Sequence, residues 1–362
     1  MDRPPPLVNA VYYPSWRVYK DIPPSSLRLD KISTIFYAFA IPQPDGSLGF
    51  LDEYADAQID VDAEHGCLDA LARVKRDNPH VRTVLSIGGG AGSGAFAQTA
   101  STATGRTAFA QAARAWVHRY SFDGVDIDWE HPATPAEGRD YVLLLQACRA
   151  VLPSPQYLLA TALPVDPSVL GRLDVRGVAA LVDHINLMCY DFAGPWSTSA
   201  GHHAQLLAPP HLPSAQSGVQ YLLDRGVPPQ RILLGIPAYA RVFLGARYEG
   251  DSFQKSATDD DDDDEKEETE MDYRDVPAEW KQQGVLHVDP SRAAAWAVVP
   301  RRRGKGSGSA FVSMDVPATV RAKAEFVRRA GLGGLFYWTG AGDAVETGES
   351  LVAAGFDALH GY

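Results

Sequence analysis

Phe122-Asp123-Gly124-Val125-Asp126-Ile127-Asp128-Trp129-Glu130 packs four carboxylates into eight residues, interleaved with the strand formers Val125, Ile127 and Trp129. In an extended chain alternate side chains share a face, so Asp126, Asp128 and Glu130 lie on one side and the apolar residues on the other. On an ordinary amphipathic strand the acids would face water. On a central strand they would point inward, with i,i+2 neighbours roughly 6.5–7 Å apart. Like charges that close and partly desolvated cannot all ionise, so at least one acid keeps a proton near neutral pH. A protonated carboxyl is what a glycosidase uses as its general acid. By itself the strip fits a wet strand face as well as an active site, and the rest of the chain decides between them.

Outward from the strip, apolar β-rich runs recur along the chain: Val8–Pro14, Ile32–Phe39, Val81–Ile87, the strip itself, Tyr157–Leu163, His184–Tyr190, Arg231–Ile236 and Gly334–Trp338. Helix-period segments follow most of them, at Leu68–Arg76, Arg106–Arg119, Pro135–Val151, Val178–Leu181, Ala215–Arg225, Pro317–Arg329 and Gly348–Leu359. Near-continuous apolar strands alternating with helices mean a parallel sheet covered on its outside. Eight such units predict an α/β fold, a closed (β/α)8 TIM barrel. An open doubly wound sheet is the alternative, but no G-x-G-x-x-G follows the first strand.

The predicted barrel takes residues 1–241 and 316–362. Residues 242–315, too long for an ordinary βα connection, form a small α+β insertion between strand seven and helix seven. Met271–Val276, Val285–Val288 and Ala294–Val299 are its structured candidates, and about 255–270 is expected to be a disordered acidic loop. That loop lacks the spacing and glycine of an EF-hand, so no metal is expected there. Arg301-Arg302-Arg303-Gly304-Lys305 has the look of a nuclear-localisation patch, and a basic loop screening the acidic one is the plainer account.

Composition excludes more than it assigns. Of 362 residues 45% are hydrophobic and 22% charged, ordinary for a globular domain large enough to bury a sizeable core. The formal charge is -12, but residues 259–270 hold ten acids and one lysine, a net of -9, leaving -3 for everything else. No electrostatic footprint for nucleic acid or acidic membranes remains. The amino terminus has no signal-like apolar core, so a cytoplasmic protein is expected, or a secreted one if a leader was removed or a leaderless route is used. Cys67, Cys148 and Cys189 are odd in number and scattered, which suits buried free thiols. No cofactor is expected, and a monomer is.

The predicted carboxyl ends of the strands carry Tyr12 and Tyr13, Tyr37 and Phe39, Ser86, the acidic strip, Met188, Tyr190 and Asp191, Tyr239 and Arg241, and Trp338. Each aromatic alone is more often core than ligand platform. Recurring at strand ends around carboxylates, they suit a neutral sugar, whose C–H faces stack on rings.

These residues resemble a family. Asp123-Gly124-x-Asp126-x-Asp128-x-Glu130 is similar to the signature of family 18 glycoside hydrolases, the chitinases. Tyr37-Ala38-Phe39-Ala40, Ser86-x-Gly88-Gly89, Met188-x-Tyr190-Asp191 with Gly194 and Trp196, Gly235-x-Pro237-x-Tyr239-x-Arg241, and Gly333-Gly334 through Trp338 resemble its motifs on other strands. Gly201-His202-His203-Ala204 resembles the stretch after strand six in fungal members, and Asp272–Pro277 the insertion of processive-type chitinases. The resemblance implies hydrolysis of chitin or chitooligosaccharides with retention, assisted by the substrate's own 2-acetamido group, an exception to the two-carboxylate scheme. It implies Glu130 as general acid/base, Asp128 as stabiliser of the acetamido group, Asp126 as its proton partner, Tyr190 on the acetamido oxygen and Asp191 on the distorted sugar. Trp338 would floor that sugar, with Tyr239, Arg241, Met188, Trp196, Tyr12, Phe39 and Trp16 lining the rest of the cleft. Asp123, of opposite parity, is expected to fix the strand and its turn.

Three positions depart from the family pattern: Gly90 replaces a common tryptophan, Ala240 a glycine, and His131 a tyrosine after the acid. His131 either tunes the acid or caps the strand, and capping is the expectation. Two other functions stay open, a cytosolic endo-β-N-acetylglucosaminidase acting on N-glycans and a chitin-binding lectin-like relative without activity.

Overall fold

The computed structural model describes residues 6–255, 269–300, 308–346 and 348–361. Eight parallel strands form its centre: β1 Val8–Pro14, β2 Thr34–Pro42, β3 Arg82–Gly88, β4 Gly124–Asp128, β5 Leu158–Pro164, β6 His184–Met188, β7 Ile232–Pro237 and β8 Gly334–Trp338. Each pairs with its neighbours in chain order, and β1 pairs with both β2 and β8, which closes the barrel. Closure leaves the acids of β4 no face toward bulk water. A hairpin strand, Leu48–Phe50, runs antiparallel to the end of β2.

The two faces of β4 separate as its alternation requires. Val125, Ile127 and Trp129 join the layer between strands and helices, where Trp129 stacks on Phe96 with ring centroids 5.4 Å apart and meets Tyr141 of the helix Pro135–Val151 at 5.8 Å. Thr134 caps that helix by accepting from the Glu137 N–H, and Pro135 opens it where a missing N–H costs nothing. The interior layer is Ala10, Tyr12, Phe36, Val84, Leu158, Ala160, Leu233 and Phe336. Asp126 lies in register with Ser86 on β3 and Ala160 on β5, and Asp128 with Gly88. Small neighbours make the room that two carboxyl groups need. Asp123, at the opposite end of the strand, accepts from the Thr83 N–H at 2.9 Å and pairs with Lys75 at 2.7 Å, the anchoring role its parity predicts.

After β7 the chain leaves the barrel. Strands Tyr239–Leu244, Glu270–Asp272, Leu286–Asp289, Ala294–Pro300 and Ser309–Met314 form a separate antiparallel sheet, and among the described residues its helical parts are two 3-10 turns, Tyr273–Asp275 and Ala278–Lys281. This sheet begins at Tyr239, not at residue 242. Pro237 makes the last parallel pairing, with Trp338, and Tyr239 already pairs antiparallel with Asp272. Arg17 clamps the sheet to the barrel through both oxygens of Asp272. The buried Lys323 holds Asp315 at 2.5 Å and the Ala204 carbonyl at 2.5 Å, fastening the helix Pro317–Ala330 beneath it. The acidic loop, apart from its two ends, and the Arg301–Lys305 patch fall outside the described residues. All three cysteines are buried and free, as expected. No helix among the described residues is long and apolar enough to cross a membrane.

Candidate active site

The acids of β4 rise from the barrel floor like rungs. Asp126, the deepest, is fully buried, and its Oδ2 accepts from the Tyr12 hydroxyl at 2.8 Å and the Ser86 hydroxyl at 2.7 Å. Tyr12 in turn accepts from Asn186 Nδ2 at 2.8 Å, so its own proton is committed to Asp126. Asp128 is buried above, and the Oδ1 atoms of Asp126 and Asp128 are both buried without a donor. Two carboxyl groups in that condition, two residues apart on one face, can satisfy each other by sharing a proton. Burial raises both acids above the usual carboxylate range, and Asp128 is raised further by the like charges of Glu130 and Asp126.

Glu130 stands at the strand exit with about 28% of its side chain exposed. Burial and the negative charge of Asp191 raise its pKa. The Ser93 hydroxyl accepts from the Glu130 N–H at 2.9 Å and lies 3.2 Å from the Asp128 carbonyl oxygen, so one loop residue fixes the backbone between the two acids. Gly88 must be glycine here: its φ is +116°, and a Cβ would come within 2.2 Å of the Asp128 carbonyl oxygen.

Asp191 completes the charge pattern. Burial alone would raise it, but His203, Arg241 and Tyr239 outweigh burial and lower its pKa to about 2. Tyr239 donates at 2.7 Å and Arg241 at 2.8 and 3.0 Å, all to Oδ1, which leaves Oδ2 free of them. His203 Nδ1 lies 3.8 Å from the same oxygen, an ion-pair separation rather than a hydrogen bond. The site thus holds a firm anion just past the end of β6, facing acids on and just past β4 that tend to stay protonated.

Tyr12, Trp16, Phe39, Asp128, Glu130, Met188, Tyr190, Asp191 and Trp338 line one cleft of about 940 Å³, within the range of small-ligand sites. Its aromatic half joins β1, β2 and β8: Trp338 lies 5.5 Å from Tyr12 and 5.8 Å from Phe39, which lies 6.3 Å from Trp16. The other half, over β4 to β6, is lined by His131, Asp166, Phe192 and His211, and Gly90 leaves the space beside Glu130 open. Tyr239 and Arg241 are not on this wall. They stand behind Asp191 as its partners, while Trp196 is 58% exposed and covers the Arg241 guanidinium at 5.1 Å. His131 faces the cleft too, its Nε2 4.0 Å from Glu130 Oε2. Strand capping does not account for a ring held against the acid.

Sequence reading missed Asn186, Ser93, Asp166 and His211. Parity on β6 could have found Asn186, since His184, Asn186 and Met188 alternate with apolar residues. The loop residues carry no such signal. No group of three or more potential metal ligands occurs among the described residues.

Comparison with known proteins places the chain in a family. Residues 8–343 match Glycosyl hydrolases family 18. The chain belongs to that family. Among curated relatives of this family 18 chain, Chitinase 1 of Aphanocladium album is 31% identical over 97% of this chain and 85% of its own length. Endochitinase 1 of Metarhizium robertsii is 30% identical over 98% of this chain and 85% of its own length. A class V chitinase from Nicotiana tobaccum, solved in complex with NAG4, superposes with a TM-score of 0.77 at 26% identity, covering 98% of this chain and 99% of that one. The Ostrinia furnacalis Group IV chitinase superposes with a TM-score of 0.85 at 22% identity over 98% of this chain and 100% of that one, and shows the fold alone.

Proposed function

We propose that this family 18 chain is a chitinase that hydrolyses β-1,4-N-acetylglucosamine linkages of chitin and chitooligosaccharides with retention, through an oxazolinium intermediate formed by the substrate's 2-acetamido group. The observation that carries this reading is the buried ladder Asp126–Asp128–Glu130 opposite the Asp191 anion, in a cleft walled by aromatic rings. Three inward acids sharing protons supply a proton donor and a nearby negative charge together.

Glu130, its proton retained by burial and by the field of Asp191, protonates the glycosidic oxygen as the bond to the anomeric carbon breaks. The acetamido carbonyl oxygen closes on that carbon, and Asp128, turned from Asp126 toward Glu130, accepts the acetamido N–H and offsets the positive charge. The Glu130 carboxylate then takes a proton from the water that attacks the anomeric carbon, which reopens the ring and restores the acid. Tyr190 donates to the acetamido oxygen, and Asp191 Oδ2 holds a hydroxyl of the distorted sugar. The names of the relatives and the solved oligosaccharide complexes support chitin-type substrates.

The test is cleavage of chitin oligosaccharides beside a high-mannose glycopeptide by the wild type and Glu130→Gln. Chitin-oligomer cleavage that collapses in the variant is expected. Glycan release from the peptide alone would indicate the endo-β-N-acetylglucosaminidase, and binding without cleavage by the wild type would indicate the lectin.

A further inference from the structure

His131 stands on the cleft wall beside the acid, in a place the mechanism does not use. Its Nε2 is 4.0 Å from Glu130 Oε2, and a little over a quarter of its side chain is exposed. The surrounding groups come from several elements. Asp166, in the loop after β5, favours a charged ring, and Arg172, between that loop and the helix Val175–Leu181, opposes it. The backbone of Trp129, just past the end of β4, also favours the charged ring. Glu130 is in contact, Asp128 lies below, and Asp191 and His211 line the same cleft. Burial is the largest influence and keeps the ring neutral at pH values where a free histidine begins to charge.

We propose that His131 sets the acid end of the enzyme's working range: neutral, it leaves Glu130 competent in both half-reactions, and protonated, it disables the site. The inference rests on the chitinase reading for its kinetic consequence but not for the physical coupling of the two side chains. An imidazolium 4 Å from Glu130 stabilises the carboxylate. Glu130 then becomes a poorer base toward the water of the second half-reaction. The same positive charge stands beside an anomeric carbon that becomes cationic, where the rest of the site supplies negative charge. Both effects slow catalysis as pH falls, and both vanish if the ring cannot charge.

The experiment compares pH profiles of kcat and kcat/KM on a chitooligosaccharide for the wild type, His131→Phe and His131→Gln. The acid limb is expected to move down by about one pH unit in both variants, the lower end of what a neighbouring charge produces. Limbs that superimpose on the wild type would overturn the proposal. A second measurement needs neither turnover nor a His131 variant. The imidazole resonance of His131, titrated in the wild type and in Glu130→Gln, should show a lower pKa in Glu130→Gln, because the coupling is reciprocal and the carboxylate that favours the charged ring is gone. Identical titrations would refute the coupling even if the chain proved to cleave no chitin. A wild type inactive on chitooligosaccharides at every pH, with the titration shift present, would sink the chitinase reading and leave the His131–Glu130 coupling standing.

Discussion

Arg241→Met tests how Asp191 is kept anionic. The folded protein lowers the Asp191 pKa from 3.8 to about 2. A difference of nearly two pH units is worth roughly 2 kcal/mol at neutral pH if none of it is screened. Since 35% of the Asp191 side chain faces solvent, a figure discounted to roughly 1 kcal/mol is more apt. Arg241 shares that effect with His203 and Tyr239, but its removal also strands Glu270, which it holds at 2.5 Å. The expected cost at pH 7 is therefore about 1–2 kcal/mol. The pH dependence carries the argument. A depressed carboxylate pKa gives stability that is present above the unfolded value near 4 and is lost as pH falls toward 2. The gap between wild type and Arg241→Met should be full at pH 7, narrower at pH 3.5 and smaller still at pH 2.5. Urea unfolding at several pH values measures it, provided the m-values agree. A gap that stays constant from pH 7 to pH 2.5 would refute the linkage and leave only lost packing against Trp196.

Other expected outcomes follow from the same contacts. Glu130→Gln should lower kcat by about 10²–10⁴ with little change in KM, the range for loss of a general acid, checked by initial rates on defined chitooligosaccharides. With Glu130 raised above the usual carboxyl range, the basic limb of the wild-type profile should lie above pH 4.5, and Asp191→Asn should move it down, because the like charge that helps hold the proton is removed. Lys323→Met leaves the Asp315 carboxylate buried without its cation and should cost about 3–5 kcal/mol by urea unfolding, while the double replacement with Asp315→Leu should recover much of it. Gly88→Ala places a methyl group against the Asp128 carbonyl oxygen, so kcat should fall even if the protein stays folded by circular dichroism.

Much of this protein was legible in its linear order because the relevant signals are local. Period-two alternation placed Asp126, Asp128 and Glu130 on one face of β4 and put Asp123 on the other, and steric geometry enforces that alternation wherever the strand lies. Eight apolar strands alternating with amphipathic segments determined the α/β barrel in the same way, since only a covered parallel sheet buries such strands on both faces. What sequence could not supply was which groups meet across the barrel. Tyr12 reaches Asp126, and Asn186 reaches Tyr12, from strands far apart in the chain, and their register depends on closure. Tyr239 and Arg241 follow a barrel strand in sequence, but Pro237 ends the parallel pairing, and the antiparallel turn that follows puts them behind Asp191 rather than along the cleft. His131 could be named as a departure from sequence alone. Its influence on Glu130 depends on a distance and on how much water is excluded, and packing decides both.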